Sequence, residues 1–478
     1  VVVEYKEEKF AIECMHTAHR LVMCAISGDP FDVRAEIARL RGVLLDVQLG
    51  PSTRSIVDAA AARGIPHRRL TEGSMVRLGI GAKQRRIVAA ETDRTSAIAE
   101  SIAQDKELTR TLLAESGIPV PEGRPVSDAA DAWAAAEEIG AAVVVKPRYG
   151  NQGRGVSVNL TTREEVERAY EVARAEESTV VVERACRGDD YRLLVVGGAL
   201  VAAARRRPPE VTGDGKTTVR DLVALVNEDP RRCGDHAGSL SPVPLDDVAL
   251  AVLAEQGLAP ESVPAAGVTV LLRRNANLST GGTAEDVTDI VHPEVAARAV
   301  EAARIVGLDV AGIDCMATDV TRPLESQGGV FIEVNAGPGL RMHLEPAVGK
   351  PRDVGAAIVD TLFPAGDDGR IPVAAVTGTN GKTTVVRLLS HLATVGGATV
   401  GTTCTEGIWV GGRKIDSGDC SGPQSARRVL ANPSVTTAVL ETARGGILRE
   451  GCGFDECDVA VVTNIGTGDH LGMADIDT

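Results

Sequence analysis

Two segments of this chain each require an apolar strand to deliver a glycine loop to a phosphate group, and they follow different designs. The first is Lys146-Pro147-Arg148-Tyr149-Gly150-Asn151-Gln152-Gly153-Arg154-Gly155. The second is Val376-Thr377-Gly378-Thr379-Asn380-Gly381-Lys382-Thr383-Thr384, set between an apolar strand and a helical pattern. Glycines lack the Cβ that would keep a loop away from phosphate oxygens, so the backbone N–H groups can turn onto the anion. A chain with two separate nucleotide loops points to two ATP-driven reactions in succession. Its 478 residues also exceed what one core holds, since single cores stop growing at roughly 250 to 300 residues.

The expected class is α/β and multidomain. Residues 1–94 read as a small N-terminal α/β domain, with helical spacing from Phe31 to Val47 and a second helix from Ser55 to Arg63. Strands and helices alternate over 95–365, including a helix from Asp105 to Glu115 and a hairpin of Arg192–Val196 with Ala199–Ala203 through Gly197-Gly198. Phe363-Pro364-Ala365-Gly366-Asp367-Asp368-Gly369-Arg370 reads as a linker, and 366–478 as a further α/β block. Val211-Thr212-Gly213-Asp214-Gly215-Lys216-Thr217-Thr218 imitates the second loop, but Arg207-Pro208-Pro209-Glu210 before it cannot be a central strand, so it is rejected as a nucleotide site.

Charge and composition exclude some partners. A formal charge of -15 and only 2% aromatics argue against nucleic acid and anionic membrane, leaving Arg205-Arg206-Arg207 and Arg273-Arg274 as local anion clusters. No apolar run approaches the roughly 20 residues that span a bilayer. Nine cysteines without a Cys-x-x-Cys pair read as reduced thiols in a cytoplasmic enzyme. Val1 to Tyr5 reads as a strand entered midway in a chain without an initiator Met, so a fragment is expected.

The first loop has company downstream. Asp314 lies in the strand Val310 to Met316, and Glu333 with Asn335 in Val330 to Asn335, where alternation puts both on one face. Three oxygen donors from two strands suit Mg²⁺, which takes carboxylates together with substrate phosphates. These pieces, in this order, resemble the ATP-grasp ligases, including the D-alanine–D-alanine ligase and glutathione synthetase branches. The resemblance implies an ATP-grasp fold in which Lys106, Lys146, Gly150, Gly153 and Gly155 meet the phosphates of ATP. Glu183 would open the adenine hinge, Cys186 would lend backbone to it, and Asp190 would meet the ribose. Asp314, Glu333 and Asn335 would hold Mg²⁺. D-alanine ligases carry an arginine two residues before this aspartate, where the chain has Gly312, so Arg192 or Arg273 is expected to meet the charge of the acyl-phosphate intermediate. Asn277-Leu278-Ser279-Thr280-Gly281-Gly282 reads either as a turn or as a substrate loop acting through Asn277 and Ser279. Arg341 and His343 fit structural and substrate-binding roles equally well.

The second loop lacks a glycine at Val376 and resembles the Mur ligase form of the motif. That resemblance implies that Thr379, Asn380, Gly381 and Thr384 wrap the phosphates and that Lys382 reaches the β and γ phosphates. Thr383, Glu441 and His470 would hold magnesium, although Asn464 to Asp469 is one residue longer than the Mur spacing.

An ATP-grasp domain followed by a Mur-ligase-like domain resembles the cyanophycin synthetase family. The likeness runs over nearly the whole chain, through Glu333-Val334-Asn335-Ala336-Gly337-Pro338-Gly339 and Glu441-Thr442-Ala443-Arg444-Gly445-Gly446. It implies an ATP- and Mg²⁺-dependent acid–amino-acid ligase, a cytoplasmic homo-oligomer, acting on aspartate, arginine and a primer of their polymer. Aspartate would be added in the ATP-grasp site and arginine in the Mur-like site. Family members are longer at both ends, so the arginine step is expected to be incomplete in this piece. A single-reaction ATP-grasp peptide ligase would not need the loop at Lys382, and a regulatory nucleotide-binding protein would bind ATP without turnover.

Overall fold

The computed structural model describes residues 3–149, 155–232 and 240–466. Its strands in chain order are β1 (His67–Arg69), β2 (Met75–Leu78), β3 (Arg85–Val88), β4 (Glu91–Thr92), β5 (Gly123–Val126), β6 (Val143–Pro147) and β7 (Ser157–Leu160). There follow β8 (Val180–Arg184), β9 (Asp189–Val196), β10 (Ala199–Arg207), β11 (Glu210–Thr212), β12 (Thr269–Leu271), β13 (Thr283–Asp286), β14 (Val310–Ala317) and β15 (Val330–Asn335). The last are β16 (Val373–Thr377), β17 (Val400–Cys404), β18 (Gly407–Val410), β19 (Arg413–Ser417), β20 (Thr437–Glu441) and β21 (Val459–Val462).

Two compact units divide the chain. One holds residues 1–56, 72–74 and 88–361, the other 57–71, 75–87 and 362–478. The first ninety residues are thus shared between the units. Ile80 sits in the second unit's core beside Ile371 and Val373, and the Ala82 N–H donates to Val435 O at 2.7 Å.

The first unit is built on two antiparallel sheets. The smaller has the order β5-β8-β6-β7. Its inner face carries Val143, Val145, Val180 and Val182, which pack with Ala132, Ala136, Val166 and Ala173 from the helices Ala129–Ile139 and Arg163–Glu176. The larger has the order β13-β10-β9-β14-β15. Tyr191, Leu193, Val195, Ala311, Ile313 and Cys315 alternate onto one face, against Ala299 and Ala303 of the helix Pro293–Val306. Period-two alternation sends Asp190, Arg192, Gly312 and Asp314 to the opposite face. A small lobe inserted after β10, with the β11–β12 pair, has its own core of Val211, Leu222, Leu253 and Val270.

The second unit is a six-stranded sheet, β19-β18-β17-β20-β16-β21, whose strands β17, β20, β16 and β21 run parallel. Apolar clusters cover both of its faces, as a parallel sheet requires. One contains Val376, Val386 and Val439; the other contains Ile408, Val429 and Leu440.

Several expectations need correction. Val3, Glu4 and Tyr5 form no strand, while Val1 and Val2 lie outside the described residues. The helix Glu8–Ser27 follows directly, and its only buried residue is Thr17. β9 and β10 are also longer than the expected hairpin. They extend to Asp189 and Arg207 because Arg206 stands opposite Asp190, and the cross-strand ion pair overrides the poor strand propensity of these residues.

Candidate functional site

The polar face of the larger sheet and the outer face of the smaller one line a single cleft of about 770 Å³. Most of the expected ATP-grasp residues line it: Lys106, Lys146, Glu183, Cys186, Asp190, Arg192, Asn277, Ser279, Asp314, Glu333 and Asn335. Gly150 and Gly153 lie outside the described residues. Gly155 is described, with a φ of 67° that a side chain would strain, and a Cβ there would press on Pro147 Cγ at 3.0 Å.

Strand alternation places each side chain. On β6, Val143 and Val145 point into the core, which turns Lys146 to the cleft, where its ammonium lies 2.6 Å from Glu183 Oε2. Lys106 opens the helix Lys106–Glu115, capped by Asp105, and its Nζ lies 3.7 Å from Glu333 Oε1. Asp314 stands directly opposite Arg192 on one neighbouring strand and Glu333 on the other. One Asp314 oxygen takes Arg192 Nε, and the other lies 3.0 Å from Arg206 Nη2. Arg206 also reaches Asp190 Oδ1 at 2.6 Å, so one buried guanidinium joins the expected ribose and metal carboxylates.

The electrostatics follow from this packing. Burial alone would raise the Asp314 pKa, but Arg192 and Arg206 outweigh it and hold the carboxyl below its ordinary value. Asp190 moves the other way: burial raises it, and the Asp314 charge adds to that despite Arg206. Arg206 was expected only as part of an anion cluster with Arg205 and Arg207. In the structure those charges are already met, Arg205 by Glu285 and Asp189 and Arg207 by Glu285. The signal for Arg206 was its register opposite Asp190, which no single-strand pattern reveals.

Gly312 explains the departure from the D-alanine ligase pattern. A Cβ here would lie 2.6 Å from Pro338 Cβ and 3.1 Å from Arg192 Nη1. Arg192 therefore fills the space that a side chain at 312 would enter. Arg273, the other candidate, is absent from the described cleft lining; its guanidinium pairs with Asp246, and Arg274 lines the cleft instead. Asn277 to Gly282 is a turn, with a 3-10 helix at Leu278–Thr280 closed by Gly281, and it still presents Asn277 and Ser279 to the cleft. Arg341 lines the cleft and donates to Ser241 Oγ at 3.0 Å.

Asp314, Glu333 and Asn335 fit a hard divalent ion. All are oxygen donors on one face, and Asn335 donates its Nδ2 to Gly312 O at 3.2 Å, which leaves its carbonyl oxygen as the acceptor.

His343 is 2% exposed, and its Nε2 has no partner among the described residues. Burial, with Arg192 and Arg206 nearby, lowers its pKa to about 3. The unfolded chain protonates this imidazole near pH 6.5. Its contribution is therefore full above that pH and is lost as pH falls toward 3. His343→Gln is expected to flatten the acid side of the stability profile, removing a slope of about 1.4 kcal/mol per pH unit below pH 6.5. Denaturant unfolding of both proteins at pH 7 and pH 5 checks this; parallel losses would remove His343 from the account.

In the second unit the loop after β16 reaches the N-terminus of the helix Lys382–Val395. Gly378 has a φ of 130°, and a Cβ there would fall 2.2 Å from Thr463 Oγ1, so only glycine fits. Asn464 ties the loop down: its carbonyl accepts from Thr379 N and its side-chain oxygen from Asn380 N, both at 3.0 Å. Lys382 Nζ folds back onto Gly378 O at 2.9 Å. Thr383 Oγ1 donates to Glu441 Oε2 at 2.9 Å, while Glu441 Oε1 is buried without a partner among the described residues. That orphaned carboxylate oxygen beside a hydroxyl suits a divalent ion. Thr384 is exposed on the first helical turn, and His470 lies outside the described residues. All these groups gather at the C-terminal ends of parallel strands, where open α/β sheets bind ligands. The imitation loop is different. Asp214 accepts from Lys216 N and Thr217 N at 2.8 and 2.7 Å, filling with its own carboxylate the place an anion would take.

Comparison with known proteins agrees with this division. An ATP-grasp domain family matches residues 98–186, a RimK-like ATP-grasp domain 270–354, and the Mur ligase middle domain 376–475. The whole chain is 44% identical to cyanophycin synthetases of Nostoc sp. and Synechocystis sp., covering 53% and 55% of those proteins. It thus spans about half the length of the curated relatives it matches. A bifunctional glutathione synthetase from Pasteurella multocida superimposes with a TM-score of 0.53 at 30% identity, over 67% of this chain and 45% of that one. Among the described residues no helix is long and apolar enough to cross a membrane. The chain carries an ATP-grasp domain followed by a Mur ligase middle domain on a mixed α/β fold.

Proposed function

We propose that this chain, similar to cyanophycin synthetases along its full length, works as an ATP-dependent ligase that elongates a polymer of aspartate and arginine. The observation that carries the reading is 44% identity through both ATP-type domains rather than through one alone. In the ATP-grasp cleft the carboxylate ending the primer attacks the γ-phosphorus of ATP, and ADP leaves. The amine of aspartate attacks the resulting acyl phosphate at carbon, inorganic phosphate leaves, and the amine loses a proton. The Mur-like site repeats the sequence on the new β-carboxylate with arginine as the amine. A carboxylate is a poor electrophile, so each amide bond needs this activation.

Protein groups answer the charge that develops. Lys106 and Lys146 meet phosphate oxygens, and Arg192 meets the acyl phosphate beside Gly312. Asp314, Glu333 and Asn335 would hold Mg²⁺ in one site; Thr383 and Glu441, with His470, would hold it in the other. The bound ion supplies neutralising charge on the phosphates. Asn277 and Ser279 touch the acceptor, and the active assembly is a cytoplasmic homo-oligomer.

The test is ADP release with ATP, Mg²⁺, aspartate and an aspartate-terminated primer. Turnover is expected only when aspartate and primer are both present. Release indifferent to either would reject the ligase reading in favour of a simple nucleotide-binding role.

A further inference from the structure

Arg68, Arg77 and Arg86 lie on β1, β2 and β3, three neighbouring strands of one sheet. Arg68 and Arg77 are directly opposed in register, so both side chains leave the same face. Like charges opposed across a strand pair are destabilising. Burial, followed by repulsion from Arg68 and Arg86, lowers the Arg77 pKa. No carboxylate enters that balance.

The anomaly is sharpest in comparison with the other buried arginines. Four arginines are buried among the described residues: Arg77, Arg192, Arg206 and Arg273. Arg192 and Arg206 pair with Asp314, and Arg273 pairs with Asp246. Arg77 is 8% exposed, its Nε is buried without a partner, and neither its side chain nor that of Arg68 forms a hydrogen bond or ion pair among the described residues. An uncompensated buried cation is among the costliest features a fold can hold. A bound anion removes that cost.

We propose that Arg68, Arg77 and Arg86 form a binding site for a multivalent oxyanion of the phosphate type, outside both nucleotide loops. The register sets Arg68 beside Arg77, and Arg86 on the next strand lies close enough to repel Arg77, so the three cations span neighbouring strands about 4.8 Å apart. That span suits a pyrophosphate or longer chain better than a single phosphate. Arginine is the fitting residue, because its planar fork donates two parallel hydrogen bonds to an oxyanion.

The experiment is thermal unfolding of the whole chain in pyrophosphate, in inorganic phosphate and in chloride at equal ionic strength. Both nucleotide loops also accept phosphate, so the readout is the difference between wild type and Arg77→Met, repeated in a Lys146→Ala/Lys382→Ala background. Pyrophosphate at a hundredfold excess over its Kd is expected to raise the wild-type midpoint by about 5 °C more than that of Arg77→Met. Phosphate should give a smaller difference. Without anion, Arg77→Met should melt no lower than wild type. Arg68→Ala, at an exposed position, should lose at least half of the pyrophosphate response, and it serves if Arg77→Met does not fold. Equal pyrophosphate shifts in wild type and Arg77→Met, or an undiminished shift in Arg68→Ala, would overturn the site.

Discussion

Glu333→Ala is expected to lower aspartate-dependent ATP turnover by about a hundredfold or more, the loss that follows when a group stabilising transition-state charge is removed. Glu333 faces Asp314 across the β14–β15 ladder and sits 3.7 Å from the Lys106 ammonium, so its carboxylate is placed to serve the proposed metal and to orient the lysine proposed to meet phosphate. Its side chain is 29% exposed and contributes little to the core, which lies on the other face through Phe331 and Val334. The variant should therefore fold, with circular dichroism and unfolding midpoint near those of wild type. Its deficit should also ease as Mg²⁺ is raised, because Asp314 and Asn335 remain. A variant with near-normal turnover on an aspartate-terminated primer would show that the catalytic carboxylate lies elsewhere.

The parts of this site legible in the sequence are those whose chemistry is local. A glycine loop after an apolar strand must come from adjacent residues, and alternation alone sends Glu333 and Asn335 to one face. The less legible parts depend on pairing between distant strands. Arg192 meets Asp314 across 122 residues, and Arg206 joins Asp190 to Asp314 only because β10 and β14 both flank β9. A run of three arginines looks like an anion site until register supplies a carboxylate to each. The division of the chain was hidden for a related reason. Ile80 and Ala82 join a core formed almost three hundred residues later, and no local composition shift records that choice. Asn464 entered the sequence reading only as a spacing marker before Asp469, and not as part of the restraint that, with Thr463, makes Gly378 irreplaceable.

Lys382→Ala is expected to weaken one of two nucleotide sites on the chain and leave the other untouched. In the free loop the Lys382 ammonium satisfies itself on Gly378 O and Thr379 O, contacts it must give up to reach a phosphate. The loop shape does not depend on those contacts. Thr463 Oγ1 holds Asn380 O at 2.6 Å, Asn464 holds Thr379 and Asn380 from the other side, and Gly466 N donates to Thr379 Oγ1. Alanine therefore removes the cation while the backbone N–H groups and the helix N-terminus remain. A hydrogen bond to a charged group contributes roughly 1.5–3 kcal/mol, so the affinity of this site should fall about ten- to a hundredfold. Lys146→Ala should produce the mirror result, since that lysine and its partner Glu183 lie in the other cleft. Calorimetric titration with ADP and Mg²⁺ reads both: wild type gives two sites, each single variant one tight and one weakened site, and the double variant none that is tight. A single variant that weakens both sites together would mean that they are not independent. A Lys382→Ala protein with both sites intact would remove the second loop from nucleotide binding, and with it the reason for two successive activations on one chain.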